Sequence, residues 1–224
     1  MNNVQNDIID RMGKRGCLEL LAADGIEVTP DIADSLSAHL DLIREWNPFA
    51  SLVSPRDVGR LVDAHVVDSV SLAPVIVRQR GTGGALLDIG SGGGFPALPL
   101  KVLLPGLNVV LVERSGRKAA FLRKAVAALN LSDLRVLHGS FPECAEGETG
   151  DVITARAVEK PQAVLADILA TLRQGSVFLC QSGDPTGLVG PGFHVERVED
   201  EWGSRGLRRG ELYLVSRVPD PGTS

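Results

Sequence analysis

The chain has 224 residues, 44% of them hydrophobic, and a formal charge of −5. That length holds one α/β domain with a helical attachment, and that composition buries a real core, which excludes a disordered chain. The mild acidity argues against indiscriminate nucleic-acid binding while leaving room for a local basic patch.

Residues 1–80 read as a helical segment packed on a core. In "DIADSLSAHLDLIREWN", Ile32, Leu36, Leu40 and Ile43 recur at spacings of four, four and three and share one face. Thr29 suits the cap, Pro30 the first helical position and Asp31 the positive helix end. Pro48 and Pro55 are expected to break the chain before a second helix, "LVDAHVVDSVSLAPVI", with Leu61, Ala64, Val67 and Val70 on its apolar face.

Residues 81–218 change rhythm, and short apolar runs alternate with helical stretches. "ALLDIG", "LNVVLVE", "LRVLHGSF", "DVITARAV" and "SVFLCQSG" read as strands. "FPALPLKVLL", "SGRKAAFLRKAVAALNL" and "KPQAVLADILATL" read as the helices between them. "HVERVED" and "ELYLVSRV" follow as two strands with no clear helix between them. The pattern is α/β: a mostly parallel sheet, covered on both faces and closed by an antiparallel C-terminal hairpin. Residues 219–224 read as a frayed tail.

The stretch "LLDIGSGGGFPALPL" places glycines where a doubly wound sheet receives ligands, beyond the end of its first strand. A dinucleotide fingerprint fails, because Phe95 stands where its third glycine belongs, and this disfavours a nicotinamide dehydrogenase. Asp88, Gly90, Gly92 and Gly94 instead match the Asp-x-Gly-x-Gly-x-Gly loop that binds S-adenosyl-L-methionine in class I methyltransferases. Any Cβ in that loop would hold the backbone off the ligand, and N–H groups at the next helix start can receive a carboxylate. Glu113, 25 residues after Asp88 at the end of the next strand, can accept both hydroxyls of a ribose. The alternative reading is a tight strand-to-helix turn beside an acidic strand end.

Five stretches give the chain a further resemblance. "REWNPFASLV", "HVVDSVSLAPVI", "LLDIGSGGGFPALPL", "VERSGRKAAFL" and "DVITARAV" are similar to the corresponding blocks of the bacterial RsmG (GidB) family. The resemblance implies a Rossmann-like methyltransferase that acts on N7 of a guanine in 16S small-subunit ribosomal RNA. It implies that Gly90 and Phe95 contact the methionine and adenosine portions of S-adenosyl-L-methionine, and that Phe141 and Pro142 lie against adenine. It places Arg156 at the transfer site, with His65 and Asp68 lining the same pocket. Asp68 is the carboxylate expected to stabilise the purine as it becomes cationic, and Arg156 to fix substrate or cofactor. The implied partner is ribosomal RNA or the small ribosomal subunit. The chain departs from the family at three places: Ser182 replaces a lysine, Ser51 the second asparagine of the Trp-Asn block, and Gly210-Glu211 an Arg-His pair. A diverged acceptor, small molecule or other RNA, and a non-catalytic cofactor-binding protein are therefore the alternatives.

Other features have plainer readings beside functional ones. His65 is a pocket residue or a satisfied core histidine, and Asp68, three residues on, is placed to be its partner. Arg114, Arg117, Lys118, Arg123 and Lys124 suit RNA but also suit a solvated helix face. Arg205, Arg208 and Arg209 sit where they can touch phosphate in place of the missing lysine. Cys17, Cys144 and Cys180 are too dispersed for disulfides or metal, and Cys180 suits a small core position better than a nucleophile. No apolar run spans a membrane and the first residues are too polar for a signal peptide, so a cytoplasmic protein is expected, and a monomer.

Overall fold

A computed structural model describes residues 3–155, 161–181 and 183–219. The chain begins with helices α1 (Asn3–Lys14), α2 (Cys17–Ala23) and α3 (Pro30–Ala50). Thr29 caps α3 as its sequence position suggests, its side chain accepting from the Ile32 N–H at 3.3 Å, with Pro30 in the first turn. Leu36, Leu40 and Ile43 are fully buried, and Ile32 packs partly against them.

Pro48 does not end α3, contrary to the sequence expectation. The helix runs on to Ala50 and stops at Ser51, which adopts a left-handed φ of 50°. Pro48 lies in the last turn on an exposed face, so the Arg44 carbonyl it leaves without an amide can face water. The second helix is also not continuous. It divides into a 3₁₀ turn (Val58–Arg60), a π turn (Val62–Val66), α4 (Val67–Val70) and α5 (Ala73–Arg80). The hydroxyls of Ser69 and Ser71 bond back to the carbonyls of His65 and Asp68, both at 2.6 Å, and Pro74 opens α5. Such back-bonding competes with the helical ladder. Leu61, Ala64, Val67 and Val70 are nonetheless all buried.

Strands β1 (Gly84–Ile89), β2 (Leu107–Glu113), β3 (Leu134–His138), β4 (Val152–Ala155) and β5 (Val177–Cys180) follow, with helices α6 (Ala97–Leu103), α7 (Gly116–Ala128) and α8 (Pro161–Thr171) at the crossovers. The chain closes with β6 (Phe193–Arg197), a short α9 (Glu201–Ser204) and β7 (Tyr213–Arg217). The sheet order is β3-β2-β1-β4-β5-β7-β6, with β1 to β5 parallel and β6 and β7 antiparallel. The expected hairpin is therefore present, but α9 interrupts it. Asp200 caps that turn, accepting from the Gly203 N–H at 3.0 Å.

The sheet separates two apolar layers. Leu86, Val109, Leu111 and Leu179 face the helical segment, α6 and α7, while Leu87, Ile89, Ile153 and Phe178 face α8. Alternation of side chains along each strand assigns neighbours to opposite layers. The N-terminal helices share one continuous core with α6, α7 and that sheet face, so they are seated against the loop that follows β1. At the far end of the sheet, buried Lys101 donates to the carbonyls of Pro105 and Leu107 at 2.7 and 2.6 Å, closing the turn from α6 into β2.

Candidate functional site

Strand order reverses between β1 and β4, and a crevice opens at their carboxyl ends, where doubly wound sheets bind ligands. A cavity of about 410 Å³ lies there. Ile89, Gly90, Ser91, Gly92, Gly93 and Phe95 form its floor. Val112, Glu113, Arg114 and Lys118 form one wall, and Gly139, Ser140 and Phe141 continue it after β3. Leu52, Val53 and His65 close it from the helical segment, and Val164 from α8.

The loop is built mostly from backbone. Gly90, Gly92 and Gly94 have φ of 73°, 53° and 83°, a region that side chains disfavour. The amides of Gly90 and Ser91 both donate to the Val112 carbonyl, stitching the loop to β2. Glu113 completes the seam: Oε2 accepts from the Gly92 N–H at 2.8 Å and Oε1 from the Ser115 N–H at 2.7 Å. An ionised carboxylate offers about four lone-pair sites, so each oxygen retains one for a further donor such as a sugar hydroxyl. The four glycines do not share one purpose, contrary to the sequence reading. A Cβ on Gly94 would lie 2.4 Å from Leu98 Cδ1, and one on Gly93 would lie 3.0 Å from Ile43 Cδ1. Those two let the loop pack on α6 and α3, while Gly90 and Gly92 keep the cavity floor bare.

A residue that sequence reasoning missed holds the loop from behind. His39 of α3 is fully buried, and its Nε2–H donates to the Gly93 carbonyl at 2.8 Å. Burial pushes its pKa down to about 4, so the ring is neutral, which leaves Nε2 free to carry that proton. Its ring lies 6.4 Å from Phe121 and 4.9 Å from Phe95, and Phe95 in turn stacks on His65 at 4.7 Å. The signal was present: position 39 falls on the apolar stripe between Leu36 and Ile43. Asn47 also has a structural assignment, because its side-chain oxygen accepts from the Val53 N–H at 2.9 Å and fixes the turn that carries Leu52 and Val53 into the cavity wall.

Of the residues singled out from sequence, Gly90, Gly92, Phe95, Glu113, Phe141 and His65 come together around the cavity. Asp88 and Pro142 are not among the residues lining it. Asp88 is buried beneath the loop, where the Thr154 hydroxyl of β4 donates to it at 2.7 Å. Asp68 does not line the cavity either. Its Oδ1 accepts from the Arg209 backbone N–H at 2.7 Å and from Gln181 Nε2 at 3.3 Å. The His65 ring faces a different carboxylate, Asp57, at 3.6 Å. Asp57 sits below the usual carboxylate range, first because the Ser54 hydroxyl donates to it. Arg156 and Ser182 lie outside the described residues, as does the tail beyond Pro219. Ala155, the last residue of β4, pairs in register with Ile89 of the cavity floor.

Of the C-terminal arginines, Arg208 serves the fold, which removes it from the phosphate cluster its sequence position suggests. Arg208 is buried, grips Asp200 through both terminal nitrogens at 3.1 and 2.6 Å, and donates to the Ser71 carbonyl at 3.1 Å. Arg205 pairs with Glu201. Arg205 and Arg209 both stay exposed, and Arg209 lies 3.8 Å from Asp57. Glu211 binds Arg197 at 2.7 Å and accepts from the Tyr213 hydroxyl at 2.5 Å. Cys180 is buried in β5, consistent with a small core residue. Trp202 is buried and Trp46 packs beside Phe121.

S-adenosylmethionine fits these residues. The bare floor at Gly90 and Gly92 admits its amino-acid end, the spare lone pairs of Glu113 suit a ribose diol, and Phe141 offers an apolar face to adenine. The family model described as rRNA small subunit methyltransferase G matches residues 32–186. A protein of that name from Chloroflexus aggregans is 40% identical over 179 residues, 77% of this chain and 74% of its own. One from Neisseria meningitidis is 34% identical over 185 residues, 81% of this chain and 83% of its own. Among solved structures, a methyltransferase of Podospora anserina bound to S-adenosylhomocysteine superposes with a TM-score of 0.59 at 15% identity, covering 83% of this chain and 88% of that one. An O-methyltransferase of Bacillus cereus in complex with the same compound gives 0.54 at 20%, covering 81% and 90%. At such identity these two establish the class I methyltransferase fold. No described helix is long and apolar enough to cross a membrane.

Proposed function

The chain belongs to the GidB family, that of rRNA small subunit methyltransferase G, and from that premise we propose that it transfers the methyl group of S-adenosyl-L-methionine to N7 of a guanine in small-subunit ribosomal RNA. The observation that carries this reading is the Glu113 carboxylate, buried at the cavity wall with both oxygens on loop amides and lone pairs to spare. Bound there, S-adenosylmethionine supplies a methyl already activated on a sulfonium.

The chain's own residues have positioning work to do. Guanine N7 presents an in-plane lone pair and no proton at neutral pH, so no general base is required. Gly90 and Gly92 let the backbone approach the donor, Glu113 orients its sugar, and Phe141 covers its base. The His65–Phe95 stack and the Leu52–Val53 turn narrow the space above and exclude water, so that nucleophile and methyl meet in line. Asp68 acts one step removed: by holding the Arg209 amide and Gln181 it ties the β7 approach to the end of β5. Arg156, next after Ala155, is the residue assigned to the donor carboxylate or the acceptor. The acceptor is ribosomal RNA, free or in the small subunit, and the enzyme acts in the cytoplasm.

Methyl mapping of small-subunit ribosomal RNA from cells with and without the gene tests this. One N7-methylguanine lost with the gene, and restored by the purified chain with S-adenosylmethionine, is the expected result. An unchanged map would move the acceptor elsewhere.

A further inference from the structure

Phe49 is 70% exposed, more than any other large hydrophobic side chain among the described residues. It stands in the last turn of α3, three residues before Leu52 of the cavity wall. Its carbonyl accepts from Arg117 Nη1 at 3.3 Å, which seats it against the first turn of α7. Arg114 and Lys118, on either side of Arg117, reach the cavity wall. From 114 to 128 the sequence has five basic residues and no acidic one, within a chain of net charge −5. Arg117 and Lys124 are both exposed and seven residues apart, so they share a helix face two turns long.

An aromatic ring left in water beside guanidinium and ammonium groups suits one partner chemistry well. Unpaired bases stack on aromatic rings whatever their sequence, and the phosphates between them seek cations. The core of a protein–protein contact is instead depleted of lysine. The acidity of the remaining surface directs a polyanion to this strip.

We propose that Phe49 and the exposed face of α7 form a platform for single-stranded RNA beside the cavity mouth: Phe49 stacks a base flanking the nucleotide to be methylated, and Arg117 and Lys124 hold adjoining phosphates. The proposal rests on the RNA-acceptor reading above and names the surface that reading lacks. It decides between the two readings that the basic run of α7 has by its sequence, RNA contact and solvated face, in favour of RNA.

The test uses the full chain saturated with S-adenosylhomocysteine and a small-subunit ribosomal RNA transcript, with binding measured across a range of salt. Phe49→Ala should weaken RNA binding about tenfold with an unchanged salt slope, and Phe49→Trp should keep wild-type affinity. Arg117→Gln with Lys124→Gln should lower the slope of log K against log salt by about 1.4, two phosphates on a single strand. S-adenosylhomocysteine affinity should stay constant throughout. RNA affinity within twofold of wild type for Phe49→Ala overturns the platform. If sedimentation then shows a dimer that Phe49→Ala dissociates, the patch is a contact between copies instead. A wild-type chain that binds S-adenosylhomocysteine but neither the transcript nor the small ribosomal subunit refutes the RNA-acceptor reading itself, whereas wild-type RNA binding with indifferent variants refutes the platform alone.

Discussion

The two sides of the crevice are made of different material. The side at the ends of β1 and β2 is backbone: left-handed glycines, amides stitched to Val112, and one carboxylate serving Gly92 and Ser115. The side toward β5 and β7 is a lattice of side chains from distant segments, with Asp68 on Arg209 and Gln181, and Arg208 on Ser71 and Asp200. The first is pre-shaped by local geometry and tolerates few substitutions. The second depends mostly on partners more than 100 residues apart, the Arg208–Asp200 pair excepted.

The contrast can be broken most forcefully at Arg208. Arg208→Ala leaves the partly buried Asp200 without its cation, and a loss of about 3 kcal/mol in unfolding free energy is expected, with S-adenosylhomocysteine affinity retained by whatever fraction stays folded. Equal stability in urea titrations would show that the lattice does not carry the acceptor side.

His39 joins the two materials, and its pH dependence has a definite sign. The unfolded chain takes up a proton near pH 6.5 and the native ring only at about 4, so unfolded protein binds more protons between those values. The contribution is complete above pH 6.5 and is lost as pH falls toward 4, by about 3 kcal/mol. His39→Phe should flatten that part of the stability profile while costing stability at neutral pH, because the Gly93 carbonyl loses its donor. Parallel profiles for the two proteins would refute the assignment.

Gly94→Ala probes the loop's packing rather than its floor. The new Cβ meets Leu98 at a left-handed φ, and about 2 kcal/mol of destabilisation is expected by thermal unfolding. An unperturbed variant would return Gly94 to a purely ligand-facing role. The smallest effect is at Ser51, an exposed cap at φ 50°. Asparagine tolerates that conformation better than serine, so Ser51→Asn should add about 0.5 kcal/mol. The same geometry accounts for the asparagine that relatives of this chain were expected to carry there.

What could be read in the sequence follows the same division. The strands, the Thr29–Pro30 helix start and the Gly90–Glu113 constellation all rest on residues near one another in sequence, so spacing alone exposed them. Interactions that close over long separations did not show. His39 meets Gly93 across 54 residues, and Asp68 meets Arg209 across 141. Arg205, Arg208 and Arg209 look alike as a string, and only the positions of Asp200, Ser71 and Glu201 separate a buried clamp from an exposed charge. The π turn at Val62–Val66 left no mark because its apolar spacing also fits a regular helix.

Calorimetric titration of the full chain and of Glu113→Gln with S-adenosylhomocysteine tests the central claim most directly. The amide keeps one acceptor but turns an N–H₂ toward a loop amide, so about a hundredfold loss of affinity is expected, beside a wild-type chain that binds one equivalent. No heat from the wild-type chain, or equal affinity in Glu113→Gln, would contradict it.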